Sequence, residues 1–165
     1  MSMTPYIATV QTFEIEKLFD LCKLKSLYSS SGQSNDSGVT QEKSLAITDN
    51  ERDFFNIVLK QAASNVYDVV SQDTKISQVP FQYNVDGKII YSLMVHGDWD
   101  RNQAFGLNTS IESALIELIL KESYKLRGNA NLFSAAEANY SLSIATVKNL
   151  LNHRITPAKK VYRYV

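Results

Sequence analysis

The stretch VPFQYNVDGKIIYSLMVHGDW, residues 79–99, decides the fold class, because its pattern is that of paired strands while the chain around it has helical periodicity. Two runs rich in β-branched and aromatic residues flank Asp86-Gly87. This dipeptide tolerates positive φ at both central positions of a tight type I′ turn, so the pattern predicts a β-hairpin over residues 79–95. An isolated hairpin is marginally stable and has two open edges. We therefore expect it to lie on helices or to pair with strands from elsewhere in the chain.

Two helices are predicted before the hairpin. Apolar residues that recur mostly three to five positions apart predict a first helix, from Gln11 to Tyr28 within an N-terminal segment 1–28. Residues 29–47 are rich in Ser, Gly, Asn and Asp and offer little to bury, which predicts a flexible loop. Thr48 and Glu51 then form a capping-box pattern, and an apolar face continues to about Ser71.

Two further helices are predicted after the hairpin. Thr109 and Glu112 form a second capping-box pattern, which starts a helix that Gly128 ends. An apolar stripe predicts another helix over about 131–153, and Pro157 blocks its continuation. The expected fold is mainly α: one domain with a helical bundle (core 48–153), an inserted β-hairpin and a C-terminal strand-like tail, 154–165.

Composition restricts the class of protein. With 165 residues, 44% apolar and 21% charged, the chain has the size and make-up of one soluble globular domain. No apolar run is long enough for a membrane span, and the N-terminus does not have the pattern of a signal peptide, so we expect no membrane association and a cytoplasmic site of synthesis and work. The single cysteine, Cys22, permits neither an internal disulfide nor a thiolate metal cluster, and we expect it to be a buried spacer.

The segment after the hairpin concentrates residues that could carry chemistry. His96, Asp98, Trp99 and Asp100 could hold a metal or a base, or they could form the junction between a strand and a helix. A zinc site needs about four ligands at defined spacings, and the chain has two histidines far apart and one cysteine. We therefore favour a junction in which Trp99 is an anchor. No phosphate loop or hydrolase motif is present, and we expect no catalytic residue, no cofactor and no metal.

Charge is balanced overall but uneven along the chain. There are 17 basic and 17 acidic residues, yet no acidic side chain follows Glu137. The tail could be a nucleic-acid arm, a strand that adds to the sheet of a partner protein, or a frayed terminus. The docking of a protein partner is the interpretation that we favour, with these tail residues making the contact: Lys159, Lys160, Val161, Tyr162, Arg163 and Tyr164.

The order of these elements resembles a known family. The helix IESALIELILKESYKLRGN, the stretch YSLSIATVKNLLNHR and the tail KKVYRYV resemble the corresponding parts of the head-to-tail connector (adaptor) proteins of tailed bacteriophages, of the helical-bundle type. The resemblance covers about residues 48–165, and residues 1–47 are not matched by the family pattern.

The resemblance implies a structural virion protein without catalysis. It implies a homo-oligomeric ring, expected to be a dodecamer, that binds the portal protein and the next tail or ring component and lines a channel for DNA passage. Subunits in such a ring bind head to tail through two different surfaces. The hairpin is then expected to contact the neighbouring subunit, through Tyr83, Asp86, Gly87, Lys88 and Tyr91.

Two other functions remain possible from the residues. A helical DNA-binding regulator would use the basic residues of the C-terminal region, and its binding to bare DNA would weaken steeply with salt. Its candidate contacts are Lys148, Arg154, Lys159, Lys160 and Arg163. A metal-dependent enzyme would use His96, Asp98 and Asp100, and would lose its metal on His96→Ala.

Overall fold

The computed structural model describes residues 6–30, 45–72 and 81–155. Within these ranges the chain is mainly helical, which confirms the predicted class, with one small antiparallel sheet. The elements in chain order are β1 (Tyr6–Glu14), α1 (Ile15–Ser30), α2 (Arg52–Ser71), β2 (Phe81–Val85), β3 (Lys88–His96), α3 (Ala104–Leu126) and α4 (Ala130–Leu151). None of the described helices combines the length and the apolar character that a bilayer span requires.

The predicted hairpin is confirmed as β2 and β3. Val85 pairs with Lys88 across the two-residue turn, and both turn residues have positive φ, 51° at Asp86 and 73° at Gly87. Asn84 also has a positive φ, of 58°, where the register shifts between Tyr83 and Val85. Residues 79 and 80 of the predicted hairpin lie outside the described part of the chain.

The predicted first helix is confirmed as α1, but its predicted start at Gln11 was wrong, because residues 6–14 form the strand β1 and the helix begins at Ile15. This strand pairs with β3 over its full length, from Tyr6 opposite His96 to Glu14 opposite Lys88, and gives the strand order β1-β3-β2. The alternation of buried and exposed residues in β1 is obscured in the sequence because Val10 is exposed and Gln11 is buried. β1 is the additional strand that the isolated hairpin required.

One face of the sheet is buried against the helices. Tyr91 lies at its centre, with ring centroids 5.3–5.9 Å from those of Phe13, Tyr67 and Phe81, so that α2 and all three strands meet at one aromatic cluster. Phe13, Tyr67 and Tyr91 are buried and Phe81 is partly buried, so these rings contribute apolar stabilisation to this interface. Helices α2 and α3 contact the sheet, and α4 packs along α3.

Local contacts define where the helices begin and end. The capping box before α2 is confirmed, since the Thr48 amide donates to the Glu51 carboxylate at 2.8 Å. Helix α3 begins earlier than the predicted capping box, because Asp100 accepts the Asn102 amide at 3.0 Å and starts a 3-10 turn that leads into Ala104. Thr109 lies inside the helix, where its hydroxyl donates to the Phe105 carbonyl at 3.0 Å.

The ends of α4 agree with the prediction to within two residues. Gly128, with a φ of 68°, follows α3 as predicted, and the Asn129 side chain accepts the Leu132 amide at 3.0 Å to cap α4. The last helical residue is Leu151.

The predicted flexible loop, residues 29–47, is ordered at both ends. Helix α1 continues to Ser30, and Leu45, Ala46 and Ile47 are buried. The Ile47 amide donates to the Ser26 hydroxyl at 2.9 Å, which ties this segment to α1. The other residues of the predicted loop, 31–44, and those of the predicted tail from residue 156 lie outside the described part of the chain.

Candidate functional site

The hairpin residues expected at a subunit interface divide into two groups. Asp86, Gly87 and Lys88 are exposed at the turn, and Tyr83 is half-buried with its hydroxyl donating to the Asn56 carbonyl at 3.3 Å. Tyr91 has to be removed from the expected set, because its side chain is fully buried and its hydroxyl donates to the Ala63 carbonyl at 2.5 Å. Burial also raises the pKa of Tyr91, so the ring remains neutral in the core. Tyr91 is buried while Lys88 is exposed because the pleat of the strand directs alternate residues of β3 to opposite faces of the sheet.

A polar cleft lies beside the hairpin turn. It has a volume of about 450 Å³ and lies between the turn, the start of α1 and the first half of α2. Glu16 and Arg52 form an ion pair at its wall, and Lys60 and Asn84 also line it. The Ile15 amide donates to the Gly87 carbonyl at 3.0 Å and fixes the turn against the start of α1. The cleft can therefore accept polar groups on a surface that has a defined shape.

The strand-to-helix junction has the form that the sequence predicted, with β3 ending at His96 and α3 beginning at Ala104. Trp99 is buried, and its indole N–H donates to the Leu150 carbonyl at 2.8 Å, so it anchors the junction to the end of α4. Backbone hydrogen bonds join the same junction to the chain beyond α4: Asp100 N–H to His153 O at 3.2 Å, and Ile155 N–H to Asp98 O at 3.0 Å.

Both histidines meet carboxylates at this junction, and the approach of His153 to Asp100 could not be seen in the sequence because the two residues are far apart in the chain. His96 contacts Asp98, and His153 Nδ1 lies 3.6 Å from Asp100 Oδ2. Arg154 Nε lies 3.8 Å from Asp98 Oδ1. The Asn102 backbone N–H, with smaller contributions from Gln103 and His153, lowers the pKa of Asp100. Within the described ranges no group of three or more His, Cys, Asp or Glu side chains is arranged to hold a metal ion.

The basic residues of the proposed DNA-binding set are not brought together by the described part of the chain. Arg154 is engaged with Asp98, and Lys148 lies within α4. The other members, Lys159, Lys160 and Arg163, lie outside the described residues, as do the remaining docking residues of the tail, Val161, Tyr162 and Tyr164.

A large apolar surface that the sequence did not reveal lies on α1. Leu24 and Leu27 are each 50% exposed and Tyr28 is 71% exposed. They line two adjoining cavities, of about 560 Å³ toward Ala46–Thr48 and about 430 Å³ toward Ile116 of α3. We call this surface the α1 groove. The apolar periodicity of α1 predicted a helix but could not show that the helix has apolar residues on its outer side as well.

A second exposed apolar surface is the outer face of the sheet. On β1 it includes Tyr6 and Val10, of which Val10 is 58% exposed. Ile90 and Met94 of β3 lie on the same face, opposite Thr12 and Ala8 in the register, and are half-buried. We call this surface the outer sheet face. It is carried by different elements from those that form the α1 groove.

Beneath the α1 groove, an ion pair joins α1 to α3. The Glu117 side chain is only 2% exposed and pairs with Lys25, which is 42% exposed. Cys22 is buried beside it, and burial, with a smaller contribution from the Glu117 charge, raises the pKa of the thiol. A thiol with a raised pKa is a poor nucleophile, which agrees with the spacer role predicted for Cys22.

Comparisons with protein-family models, with curated proteins and with solved structures found no significant match to this chain.

Proposed function

We propose that this chain is a structural subunit of the head-to-tail junction of a tailed bacteriophage, where it forms a homo-oligomeric ring around a channel for DNA. The dodecameric ring order, the contacts with the portal protein and the next tail component, and the location in the virion belong to this proposal. So do the helical-bundle arrangement and the strand-like tail that the sequence pattern predicts.

The observation that carries the proposal is the presence of two exposed apolar surfaces on different elements, the α1 groove and the outer sheet face. Soluble monomers rarely expose several such surfaces without a partner. A ring needs two different surfaces on each subunit, because its contacts are heterologous, whereas a two-fold dimer uses one surface twice.

Charge also supports a conduit over a DNA-binding regulator. The net charge is zero, and Arg154 is already paired with Asp98. Affinity for a nucleic-acid backbone depends on the number of phosphates that Lys and Arg neutralise. A conduit that allows DNA to slide benefits from few such contacts.

The test is native mass spectrometry and electron microscopy of the full chain over a wide range of concentrations, alone and with the portal protein of the same phage. We expect a cyclic oligomer with a central channel, in which each contact joins two different surfaces of neighbouring subunits. A two-fold dimer would contradict the proposal. A monomer that does not bind the portal protein but binds duplex DNA with a steep salt dependence would also contradict it, because this is the behaviour expected of a DNA-binding regulator.

A further inference from the structure

The polar cleft beside the hairpin turn has walls that hydrogen bonds hold in place. The Ile15 amide donates to the Gly87 carbonyl at 3.0 Å, which joins the start of α1 to the turn. The Tyr83 hydroxyl donates to the Asn56 carbonyl at 3.3 Å, which joins β2 to α2. A site whose walls are already fixed loses little conformational entropy when a ligand binds. The volume of about 450 Å³ lies within the usual range of small-molecule sites.

Arg52 lines the cleft, and two contacts hold its guanidinium in position. The group pairs with Glu16 and stacks on the Phe19 ring, with 4.3 Å between the guanidinium carbon and the ring centroid. A guanidinium carries several N–H donors, so a pair with one carboxylate leaves donors for a second acceptor. An oriented arginine can bind a carboxylate or a phosphate through two parallel hydrogen bonds. Arg52 is therefore a preformed donor at the wall of the cleft.

Lys60 and Asn84 also line the cleft, and neither side chain has a hydrogen-bond or ion-pair partner among the described residues. Asn84 has a positive φ of 58° at the bulge of β2, a conformation that is uncommon for a residue other than glycine. Bulges and such backbone conformations are enriched at binding and catalytic sites, where they redirect a side chain. Lys60 and Asn84 are therefore available to bind a ligand.

The available polar groups of the cleft are mainly donors, and their net charge is positive. The carbonyls of Asn56 and Gly87 already accept hydrogen bonds. The charged residues that line the cleft are two bases, Arg52 and Lys60, and one acid, Glu16, which together carry one net positive charge. A ligand that satisfies these groups must bring acceptor atoms and negative charge. The oxygens of a carboxylate or a phosphate have both properties.

The cleft also offers apolar contacts for the body of a ligand. Ile57 lines it and is 72% exposed, and the half-buried Tyr83 lies on the opposite wall, in β2. Binding sites for organic ligands commonly combine apolar walls with a few polar groups that fix the orientation of the ligand. This combination favours an organic anion over an inorganic ion.

We propose that the cleft binds a small organic anion, with Arg52, Lys60 and Asn84 bonded to its carboxylate or phosphate group and with Ile57 and Tyr83 against its apolar body. The site is independent of the proposed ring function, because residues of one chain form all of it.

NMR chemical-shift mapping on the isotope-labelled full-length chain tests the site with three probes. Phenyl phosphate and benzoate carry the two anionic groups on the same ring, and benzyl alcohol carries the ring without a charge. Lys60→Ala removes the unpaired cation. The matched control is Lys125→Ala, because Lys125 is also an exposed helical lysine but lines a different cavity, beside Gly128. Asn84→Gly removes the side-chain amide and keeps a residue that readily adopts a positive φ. Circular dichroism first establishes that each variant is folded.

We expect both anions to cause saturable shifts at the residues that line the cleft, and benzyl alcohol to bind several-fold more weakly. Lys60→Ala and Asn84→Gly should each weaken the binding of the anions several-fold, whereas Lys125→Ala should leave it unchanged. The anion that binds more tightly identifies the group that the site prefers. Three results would each overturn the proposal: no saturable shifts at the cleft with either anion, binding of benzyl alcohol as tight as that of the anions, or equal effects of Lys60→Ala and Lys125→Ala.

Discussion

At the scale of single residues, Tyr91 shows why an aromatic residue in a hairpin need not face a partner. Its ring completes the aromatic cluster between the sheet and α2, and its hydroxyl bonds to the Ala63 carbonyl. Tyr83, eight positions earlier, has its hydroxyl near the surface. The sequence alone could not separate the two, because both belong to strands of alternating burial and the bulge at Asn84 changes the register between them.

The two tyrosines make a matched pair for mutagenesis. We expect Tyr91→Phe to lower the free energy of unfolding by about 1 kcal/mol, because it removes a buried hydrogen bond and keeps the ring. Tyr83→Phe should cost clearly less, since water can replace its longer, exposed bond. Urea denaturation followed by circular dichroism measures both. Equal effects of the two substitutions would show that the Tyr91 hydroxyl is not part of the core as described.

The pair of Lys25 and Glu117 gives a second prediction. Lys25→Met leaves the buried Glu117 carboxylate without a cation, which we expect to cost about 2 kcal/mol, below the usual range for a buried pair because Lys25 is partly exposed to water. Adding Glu117→Gln should recover part of that loss. Lys17→Met, which breaks the exposed pair with Glu112, is the control and should cost less than about 1 kcal/mol. If the double variant is no more stable than Lys25→Met alone, the carboxylate is not the cause of the loss.

Asp100 predicts a contribution to stability that depends on pH. Its carboxylate accepts the Asn102 amide, and its pKa is lowered from the ordinary value of 3.8. A lowered carboxyl pKa stabilises the folded state above the unfolded pKa, and the contribution is lost as pH falls through the folded value. Asp100→Asn keeps an oxygen at the N-cap without the titration. We expect its melting temperature to fall less steeply than that of the unaltered chain when the pH is lowered below about 4. An NMR titration that placed the Asp100 pKa at or above 3.8 would contradict this account.

At the scale of elements, local signals located the hairpin and most helix boundaries. Asp86-Gly87, the Thr48 capping box and Gly128 each specify a backbone geometry that few other residues adopt, so they could be recognised without knowledge of the fold. Strand β1 carries no such signal. It passes into α1 at Ile15 without a glycine or proline, and its strand character depends on pairing with β3, about 80 residues later in the chain.

The candidate functional surfaces were harder to predict from the sequence than the helices and strands. The α1 groove depends on which face of α1 packs on α3, and the approach of His153 to Asp100 depends on where α4 ends. Both are consequences of tertiary packing. The resemblance implied that Asp86 and Lys88 contact a neighbouring subunit. Both are exposed, because a tight turn places its residues at the surface whatever the rest of the fold.

The turn can be tested with two glycine substitutions of opposite expected effect. Gly87→Ala places a β-carbon at a φ of 73°, which we expect to cost about 1 kcal/mol in the free energy of unfolding. Gly106→Ala lies in α3 with an ordinary φ, and the new β-carbon would lie 3.6 Å from Leu150 Cδ1, a normal contact. It should be neutral or stabilise by up to about 1 kcal/mol, since alanine favours helices. If both variants behave alike in thermal denaturation, the positive φ at Gly87 is not the determinant of the turn.

At the scale of the whole molecule, the fold separates a stable body from the segments proposed to dock. The sheet, α2, α3 and α4 share one apolar core, to which Trp99 joins the end of α4. Near the end of the described chain, the Ile155 N–H donates to the Asp98 carbonyl. The docking residues proposed for the tail come after this hydrogen bond in the sequence. We therefore expect the described body to fold without the contacts that the proposed assembly adds.

Two truncations test this separation. A chain that ends after residue 156 keeps the Trp99–Arg154 bridge, so we expect it to melt like the full chain while losing the ability to form oligomers. A chain that ends after residue 152 also loses the two backbone hydrogen bonds that flank the bridge, at a cost of about 1–2 kcal/mol, which corresponds to a melting temperature lower by roughly 2–8 °C. Calorimetry and light scattering on the three chains give both readouts. If the chain that ends after residue 156 melts as low as the shorter one, the tail packs on its own core and is not a docking segment. If instead it melts like the full chain and still forms the same oligomer, the ring contacts lie elsewhere, with the outer sheet face as the next surface to alter, for example by Val10→Glu.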